Sequence, residues 1–459
     1  MEEKKNIYFI GAGGIGMAAL ERYFLSKGKN IAGYDRTPTA LTTDLAEEGV
    51  NITFGGEVSE IPAEMRDPST TVVVYTPAVP SDLPIFKWFK ENGFTPLKRA
   101  AVLGEITRSS KGICVAGTHG KTTTSSMIAH ILHSSSTGCN AFLGGVLRNY
   151  GTNFLLNPKS EYSVIEADEY DRSFHHLTPH IAVITSAEPD HLDIYGTEEA
   201  YMESFSRFTE LIAPGGRLLM HTGVKVMPRT AEGVTIHSYG RDNGDYHAEN
   251  IHISDGSITY DFVGPDIRID GIELGVPVEI NIDNSIAALA AIHLAGVLEP
   301  AKAREASASF MGPKRRFEFH LKEEGEKGHV IIDDYAHHPA ELRASIESVR
   351  KLYPGRHLTV AFQPHLYSRT RDFADDFAAA LSLPDSTFLL DIYPAREEPI
   401  PGVNSNMLLD RIDSSDKHLI SKEILAETLK KRNFEVLLTV GAGDIYETIP
   451  DIISAIQND

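Results

Sequence analysis

Residues 113–124 read ICVAGTHGKTTT, and this segment carries the strongest structural signal in the chain. The first four residues of this segment are apolar and predict a buried β-strand. The three threonines at its end begin a run with helical spacing, which predicts a helix. Between them, Gly117 and Gly120 let backbone N–H groups turn towards a phosphate, and Lys121 can reach the β- and γ-phosphate oxygens. The Thr122 hydroxyl can hold Mg²⁺, and the helix dipole favours an anion at the helix N-terminus. The stretch therefore predicts a nucleotide phosphate loop.

One position departs from the usual phosphate-loop pattern, because this chain has Val115 where that pattern has a glycine. A loop that only caps a helix is the alternative. The order GTHGKTTT after a strand nevertheless resembles the ATP loop of the Mur ligases, which form the amide bonds of the peptidoglycan peptide. The resemblance implies ATP and Mg²⁺ as cofactors. It also implies that ATP binds to the residues of this loop, namely Gly117, Thr118, His119, Gly120, Lys121, Thr122 and Thr123.

Composition limits the other classes of function. The chain has 459 residues, 42% of them hydrophobic, and this length suggests about three domains. A net charge of −21 disfavours nucleic acid and anionic membranes as partners, so anionic ligands need local cationic sites. The N-terminus has the pattern of neither a signal peptide nor a membrane span, and the two cysteines lack metal-site spacing. We therefore expect a cytoplasmic protein, and we expect it to be a monomer or weak homodimer.

A second glycine loop lies near the N-terminus. Residues 6–10 predict a strand, a GxGxxG pattern follows at residues 11–16, and a second predicted strand ends at Asp35. This arrangement is typical of NAD-binding proteins, and a tight turn with Asp35 as a cap is the alternative. The sequence GAGGIGM also resembles the UDP-binding start of the Mur ligases. The resemblance implies a UDP-sugar site made of Gly11, Gly13, Gly14, Gly16, Asp35 and Thr76.

Two later predicted strands bring acidic residues to the edge of the sheet that carries the phosphate loop. These strands end in EADE and in TSAEPDHLD. Functional groups of parallel sheets gather at the carboxyl ends of the strands. By resemblance to the metal-binding segments of Mur ligases, Glu166 and His191 join Thr122 in binding Mg²⁺. For Asp168 and Glu169, a metal-related role and a solvent-exposed position remain equally open.

A missing lysine distinguishes between branches of this family. Several Mur ligases carry a carbamylated lysine shortly after the DH pair, whereas this chain has no lysine between Lys159 and Lys225. The branch that adds L-alanine to UDP-N-acetylmuramate typically lacks that lysine. The absence therefore favours the alanine-adding branch.

The segment before the third predicted domain carries fewer signals. Residues 216–280 contain short β-like runs, which we expect to extend the central sheet. An alanine-rich helix is predicted over residues 285–296, preceded by Asn281 and Asn284. These asparagines occupy the place of the adenine-reading segment of Mur ligases, which implies that Asn281 binds ATP, although two neighbouring positions differ. Capping of the helix by Asn281 is the alternative.

A cationic turn, KRRF at residues 314–317, leads into a third α/β region. In Mur ligases the second arginine of RRF reaches ATP, which implies this role for Arg316. The motifs DDYAHHP and FQPHLYSRT then resemble the same family, with Leu366 at a position where an arginine is common. This resemblance implies that Asp334 binds ATP, and that the amino acid is bound by Tyr335, His365 and Arg369. His337 is the candidate general base, because imidazole titrates near neutral pH.

The sequence therefore predicts an α/β fold in three domains. Residues 1–107 form a Rossmann-like UDP-sugar-binding domain, and residues 108–313 form an ATP-binding domain with a mainly parallel sheet. Residues 314–459 form a Rossmann-like domain that binds the amino acid.

The resemblance implies ATP-dependent ligation of L-alanine to UDP-N-acetylmuramate through an acyl phosphate. Lys121, Arg316 and His337 are the expected catalytic residues. A ligase that adds a whole tripeptide to the same sugar is the nearest alternative. A dinucleotide-dependent oxidoreductase and a non-catalytic nucleotide switch are alternatives from other classes.

Overall fold

In the computed structural model, each of the two glycine loops follows a strand of a parallel sheet. The structure describes residues 4–76, 79–189, 192–254, 256–323, 325, 328–395, 397–432 and 434–457. The chain divides into two units. The first unit comprises Met1–Glu249, Asp261–Asp270 and Asp283–Ser307, and the second comprises Asn250–Tyr260, Gly271–Ile282 and Ala308–Asp459.

The first sheet contains the N-terminal glycine loop. Its strands are β1 (Asn6–Ile10), β2 (Asn30–Tyr34), β3 (Asn51–Thr53), β4 (Thr71–Tyr75) and β5 (Leu97–Lys98). The helices are α1 (Ile15–Ser26), α2 (Ala40–Glu47), α3 (Pro84–Glu91) and α4 (Arg99–Arg108). The strand order is β3-β2-β1-β4-β5, with all neighbours parallel. β1 is fully buried, as expected for a continuous apolar run at the centre of a parallel sheet.

The second sheet contains the phosphate loop. Its strands are β6 (Lys111–Ala116), β7 (Asn140–Leu147), β8 (Thr152–Leu155), β9 (Tyr162–Glu166), β10 (Ile181–Ile184), β11 (Arg217–His221) and β12 (Thr235–Tyr239). Its helices are α5 (Lys121–Ser134), α6 (Leu192–Tyr195) and α7 (Glu198–Glu210). The order is β12-β11-β10-β6-β9-β7-β8, and only the β7–β8 pair is antiparallel among the described pairs. β9 and β10 therefore flank β6 and end at the same edge.

The first two sheets share one hydrophobic core within the first unit. Met17 and Phe24 of α1 belong to the same buried cluster as Phe142 and Phe154 of β7 and β8. The rings of Tyr23 and Phe142 lie 5.4 Å apart, edge to face. Helix α1 therefore packs on the second sheet as well as on its own.

A separate three-stranded sheet follows. It contains β13 (His247–Ser254), β14 (Ser257–Gly264) and β15 (Ile267–Glu273), and two helices come next, α8 (Ile280–Leu294) and α9 (Pro300–Ser309). The expectation that residues 216–280 extend the central sheet is right for β11 and β12 and wrong for β13 to β15. The reason is their pattern: β14 alternates buried and half-buried residues, as in a sheet with one solvated face, whereas the central strand β10 is buried throughout.

The third large sheet lies in the second unit. Its strands are β16 (Glu318–Lys322), β17 (Val330–Asp334), β18 (Leu358–Phe362), β19 (Ser386–Leu389), β20 (Lys417–Leu419) and β21 (Val436–Val440). Its helices are α10 (Pro339–Leu352), α11 (Tyr367–Asp372), α12 (Ala374–Leu381), α13 (Ser405–Leu409), α14 (Lys422–Arg432) and α15 (Ile449–Gln457). The order is β16-β17-β21-β18-β19-β20, and β16 pairs antiparallel to β17 while the other pairs are parallel. Among the described residues, no helix has both the length and the apolar character that crossing a membrane requires.

Candidate active site

The phosphate loop joins β6 to α5, and two of its glycines adopt backbone angles that favour glycine. Gly117 has φ 145° and Gly120 has φ 83°. A Cβ atom on Gly117 would lie 2.1 Å from Thr185 Oγ1. The same hydroxyl donates hydrogen bonds to the carbonyls of His119 at 2.5 Å and Ala116 at 3.2 Å. The residue after β10 therefore packs directly against the loop and leaves no space for a side chain at Gly117.

Lys121 is held inside the loop by an ion pair. Its Nζ donates to Gly117 O at 2.5 Å and to Glu169 Oε1 at 2.8 Å. The side chain of Glu169 is 2% exposed, and burial raises its carboxyl pKa while the Lys121 ammonium lowers it. The other oxygen, Glu169 Oε2, has no hydrogen-bond partner among the described residues. Of the two roles left open for Glu169, the solvent-exposed position is thus wrong, and the residue is the counter-ion of Lys121.

Oxygen ligands suited to a divalent cation lie beside Lys121. Thr122 Oγ1 donates to Glu166 Oε1 at 3.0 Å, and the backbone N–H of Gly144 donates to Glu166 Oε2 at 3.0 Å. Loss of solvent raises the pKa of the Glu166 carboxyl, and the Lys121 ammonium opposes this shift. A hydroxyl and a carboxylate are ligands that Mg²⁺ accepts. Thr122 and Glu166 therefore fit the predicted metal role, whereas His191 lies outside the described residues, which hold no cluster of three or more metal-ligating side chains.

The remaining loop residues are tied to the segment after β10. Thr118 Oγ1 donates to Glu188 O at 2.6 Å and lies 2.8 Å from the Tyr201 hydroxyl. The backbone N–H of His119 donates to Ser186 Oγ at 2.7 Å. These contacts hold the loop in place from the neighbouring strand end. Thr123 lies in the first turn of α5.

The two asparagines of α8 have different surroundings. Asn284 Oδ1 accepts a hydrogen bond from Thr124 Oγ1 at 3.1 Å, and a Cβ on Gly120 would lie 2.7 Å from it. Asn281 Nδ2 instead donates to Val276 O at 3.0 Å. The predicted order of asparagines followed by a helix is wrong, because α8 begins at Ile280 and contains both. Asn284 packs against the phosphate loop, and the adenine role of Asn281 stays a prediction.

The N-terminal glycine loop brings together its predicted residues. The Gly13 N–H donates to Asp35 Oδ2 at 2.6 Å, so Asp35 closes the loop from the end of β2. Gly11 has φ 89°, and a Cβ there would lie 2.6 Å from Thr76 Cγ2. Gly14 is the N-cap residue of α1, with no side chain bonded to the helix end. The N–H groups of residues 11–14 donate within the protein, so the N–H groups that this arrangement presents to a diphosphate are those of the first turn of α1.

A cation beside this loop was not predicted as a site residue. A Cβ on Gly16 would lie 2.3 Å from Arg99 Nη1, so the Arg99 guanidinium occupies the space over the start of α1. The position of Arg99 directly after a parallel strand, β5, was the available signal.

In the second unit, Asp334 uses both carboxylate oxygens on the protein. Oδ1 accepts from the N–H groups of Phe317 at 3.2 Å and Tyr335 at 2.9 Å, and Oδ2 accepts from the Ser345 hydroxyl. Burial raises the pKa of this carboxyl. The guanidinium carbon of Arg316 lies 5.5 Å from the centre of the Tyr335 ring. Asp334, Tyr335 and Arg316 thus lie together at the end of β17.

The predicted amino-acid residues also lie near one another. The rings of His337 and His365 are 6.2 Å apart, and Arg369 Nη1 lies 3.5 Å from His365 Nδ1. Burial lowers the pKa of both imidazoles and the Arg369 charge adds to this, while the Glu341 carboxylate, 3.6 Å from His337 Nδ1, opposes the shift at His337 without reversing it. His337 Nδ1 lies 3.1 Å from Tyr335 O, which can only accept, so Nε2 carries the lone pair. His337 is therefore neutral near pH 7, as a general base requires.

One aromatic residue of this group was missed. The Tyr393 ring stacks on His365 with centroids 5.9 Å apart and planes 13° apart. The backbone of the Tyr393 segment also bonds to that of Pro364 and Leu366. No local pattern marks Tyr393, because it lies in an irregular Pro-rich segment.

These arrangements define a class of protein: an α/β nucleotide-binding protein with a phosphate loop, a second glycine loop and a unit rich in cationic and imidazole groups. Three family models match the chain: the Mur ligase family catalytic domain at residues 6–111, the Mur ligase middle domain at residues 115–292 and the Mur ligase glutamate ligase domain at residues 315–446.

Relatives match over the full length of the chain. The UDP-N-acetylmuramate–L-alanine ligase of Parabacteroides distasonis is 58% identical over 97% of this chain and 96% of its own length. The enzyme of the same name from Phocaeicola vulgatus is 54% identical over 98% of this chain and 97% of its own length. The crystal structure of UDP-N-acetylmuramate–alanine ligase from Thermotoga maritima superposes with a TM-score of 0.77 at 25% identity, covering 99% of both chains. The chain belongs to the Mur ligase family, the ATP-dependent amide-forming ligases.

Proposed function

We propose that this protein joins L-alanine to UDP-N-acetylmuramate, forming an amide bond at the expense of ATP, as a step of peptidoglycan precursor synthesis. The observation that carries this proposal is the phosphate loop with Lys121 and Glu166 at one sheet edge, in a chain that matches curated L-alanine ligases over its full length. The proposal includes release of ADP and phosphate.

The first step forms an acyl phosphate. A lactyl carboxylate oxygen of the UDP-sugar attacks the γ-phosphorus of ATP, and the bond between that phosphorus and the β–γ bridging oxygen breaks to release ADP. Lys121 leaves Glu169 and Gly117 O for the phosphate oxygens, where it offsets the charge that develops in the transition state. Arg316 binds a phosphate of the same nucleotide. Thr122 and Glu166 would hold Mg²⁺, which when bound neutralises phosphate charge.

The second step forms the amide. The neutral amine of L-alanine attacks the acyl carbon, the bond from that carbon to the phosphate oxygen breaks, and inorganic phosphate leaves. His337 Nε2 accepts the proton that the amine loses, since its partner nitrogen is engaged with Tyr335 O. Arg369 and His365 hold the carboxylate of L-alanine, for which a planar guanidinium is well suited. In the first unit, the glycine loop closed by Asp35 holds the diphosphate of the sugar nucleotide.

The remaining parts of the proposal concern conditions and partners. The protein acts in the cytoplasm, needs Mg²⁺, binds neither nucleic acid nor membrane, and is a monomer or weak homodimer. A magnesium titration of turnover checks the metal requirement, and sedimentation velocity across a concentration series checks the oligomeric state.

The deciding experiment measures ADP release with UDP-N-acetylmuramate and a panel of acceptors. We expect turnover with L-alanine and none with the tripeptide L-alanyl-γ-D-glutamyl-meso-diaminopimelate. Preference for the tripeptide would move the protein to the tripeptide-adding branch. Binding of ATP without acceptor-dependent ADP release would indicate a nucleotide switch, and a fluorescence change of added NAD(P)H would favour an oxidoreductase.

A further inference from the structure

Two residues that flank Arg316 have backbone angles that L-amino acids rarely adopt. Arg315 has φ 60° and Phe317 has φ 47°, both in the left-handed region. Neither residue is a glycine, so this turn costs conformational free energy that the surrounding contacts must offset. Such strain persists only where the surroundings over-determine the backbone, which is frequent at ligand-binding sites.

The Arg315 side chain provides part of that restraint. Its Nη2 donates to Gly441 O at 2.5 Å and its Nη1 donates to Gly443 O at 3.1 Å, both in the loop after β21. Its Nε lies 3.5 Å from Asp333 Oδ2, whose side chain is 0% exposed. Each nitrogen of the guanidinium therefore contacts the protein, and the side chain bridges the turn to the ends of β17 and β21.

Two aromatic rings hold the same guanidinium. Its central carbon lies 4.9 Å from the centre of the Tyr335 ring and 4.3 Å from that of Tyr446. Cation–π contacts of this kind attract the guanidinium to the ring faces. As a result the Arg315 side chain is only 19% exposed.

The backbone of the turn is bonded at both ends to the end of β17. The N–H of Tyr335 donates to Arg315 O at 2.9 Å, and the N–H of Phe317 donates to Asp334 Oδ1 at 3.2 Å. The Phe317 side chain is buried, at 5% exposed. Arg316 lies between these two anchored residues and is itself exposed. The two adjacent arginines thus differ in exposure: Arg315 is held by hydrogen bonds, whereas Arg316 is exposed and contacts the edge of the same site through the Tyr335 ring, 5.5 Å away.

We propose that Arg315 is a positioning residue that holds the 315–317 turn in its strained form and thereby pre-organises Arg316 for a phosphate of ATP. This inference rests on the proposed function, which assigns Arg316 to the nucleotide. An arginine loses rotamer and backbone freedom when it binds a phosphate, and a fixed turn reduces that loss. Without Arg315, the turn relaxes and Arg316 must be ordered each time ATP binds.

A double-mutant cycle tests this role. The variants are Arg315→Met, Arg316→Ala and the pair, and the measurements are the kcat and KM values for each substrate with a thermal unfolding curve for each protein. We expect Arg315→Met to lower kcat/KM for ATP about tenfold, within the range for coupled neighbours, and to leave KM for UDP-N-acetylmuramate and L-alanine unchanged. In the Arg316→Ala background the same change should have no further effect on kcat/KM.

The cycle separates the possible failures. If Arg315→Met lowers kcat/KM equally in both backgrounds, Arg315 acts independently of Arg316 and the positioning role is wrong. If Arg316→Ala leaves kcat/KM for ATP unchanged while ATP turnover persists, the assignment of Arg316 in the proposed function is wrong, and the positioning role fails with it.

Two further variants keep the test decisive if Arg315→Met does not fold. Tyr446→Leu removes one ring face and leaves both carbonyl hydrogen bonds, so a smaller loss of kcat/KM for ATP is expected, again absent in the Arg316→Ala background. An unchanged value would overturn the proposal. Lys314→Met is the matched control, because Lys314 is an exposed cation that directly precedes the 315–317 segment, and its kinetics should equal those of the parent.

Discussion

The glycine loops of the first unit and the strand-end loops of the second unit present their ligand groups in different ways. In the glycine loops, positive φ angles fall on glycines such as Gly11, Gly117 and Gly120, and the groups proposed to bind the anion are backbone N–H groups. In the second unit, the turns beside Arg316 and Arg369 have positive φ angles on Arg315, Phe317 and Leu366, none of them a glycine, and the groups proposed to bind ligand are side chains.

The difference has a physical reason. A backbone N–H reaches a phosphate only where no Cβ intervenes, so a backbone cradle requires glycine. A guanidinium or an imidazole needs a side chain, and the surrounding contacts must then offset the strain of a non-glycine residue. Backbone sites are therefore visible in a sequence as glycine patterns, whereas side-chain sites depend on contacts made elsewhere in the fold.

The largest effect is expected for Lys121→Ala in the phosphate loop. Loss of the one cation of the backbone cradle removes about 3 kcal/mol or more of transition-state stabilisation, so ADP formation should fall by roughly a hundredfold or more. Affinity for UDP-N-acetylmuramate, measured by isothermal titration, should stay the same, because that ligand is assigned to the other glycine loop. Equal loss of turnover and of UDP-sugar binding would contradict the assignment of separate loops.

Gly117→Ala tests whether the cradle depends on the absence of a Cβ. The added methyl would lie 2.1 Å from Thr185 Oγ1 at a φ of 145°, so the loop must shift, and turnover should fall by roughly tenfold to a hundredfold. Gly215→Ala is the control, because Gly215 also has a positive φ of 73° but has nothing within 4 Å of an added Cβ. That variant should lose about 1–2 kcal/mol of stability, the cost of a Cβ in the left-handed region, and keep its turnover. Similar turnover in both variants would show that the loop tolerates a side chain.

Asp333 allows a pH test of the second unit. Burial raises its pKa from 3.8 to about 6, while the Thr439 hydroxyl and Arg315 lower it and Asp334 and Glu318 raise it. Because the folded protein binds this proton more tightly than the unfolded chain, the contribution of Asp333 to stability falls as pH rises from about 4 to about 6. Chemical unfolding of the parent and of Asp333→Asn across this range should show the parent losing stability relative to the variant, by up to about 3 kcal/mol. Parallel curves would contradict the raised pKa.

The smallest effect is expected for Arg369→Lys. A planar fork binds a carboxylate with two parallel hydrogen bonds, and lysine replaces it with a point charge. We expect KM for L-alanine to rise roughly tenfold, equivalent to about 1.4 kcal/mol, with KM for ATP and UDP-N-acetylmuramate unchanged.

The control for this substitution is Arg371→Lys, since Arg371 is exposed and paired with Asp372. An unchanged KM for L-alanine in Arg369→Lys would remove Arg369 from the site and direct attention to His365.

Much of the fold was predictable from local patterns. The strand predicted at residues 6–10 has those bounds in the structure, and the strands predicted to end at Asp35, at EADE and at TSAEPDHLD are β2, β9 and β10. Each is a short apolar run bounded by glycine or polar residues, a signal contained within a few positions. The edge strands β16 and β20 were missed, because they are partly exposed and lack such a run.

In the candidate site too, some residues were predictable from local patterns and others depend on long-range contacts. Local patterns predicted the two glycine loops, Lys121, Thr122 and the acidic strand end at Glu166, because strand, loop and helix are consecutive in the chain. The pairing of Glu169 with Lys121 across 48 positions, and the bond from Arg315 to Gly441 across 126 positions, are visible only in the folded chain. The physical reason is that burial and long-range contacts set the partner of a charged side chain, and neither is encoded in the residues beside it.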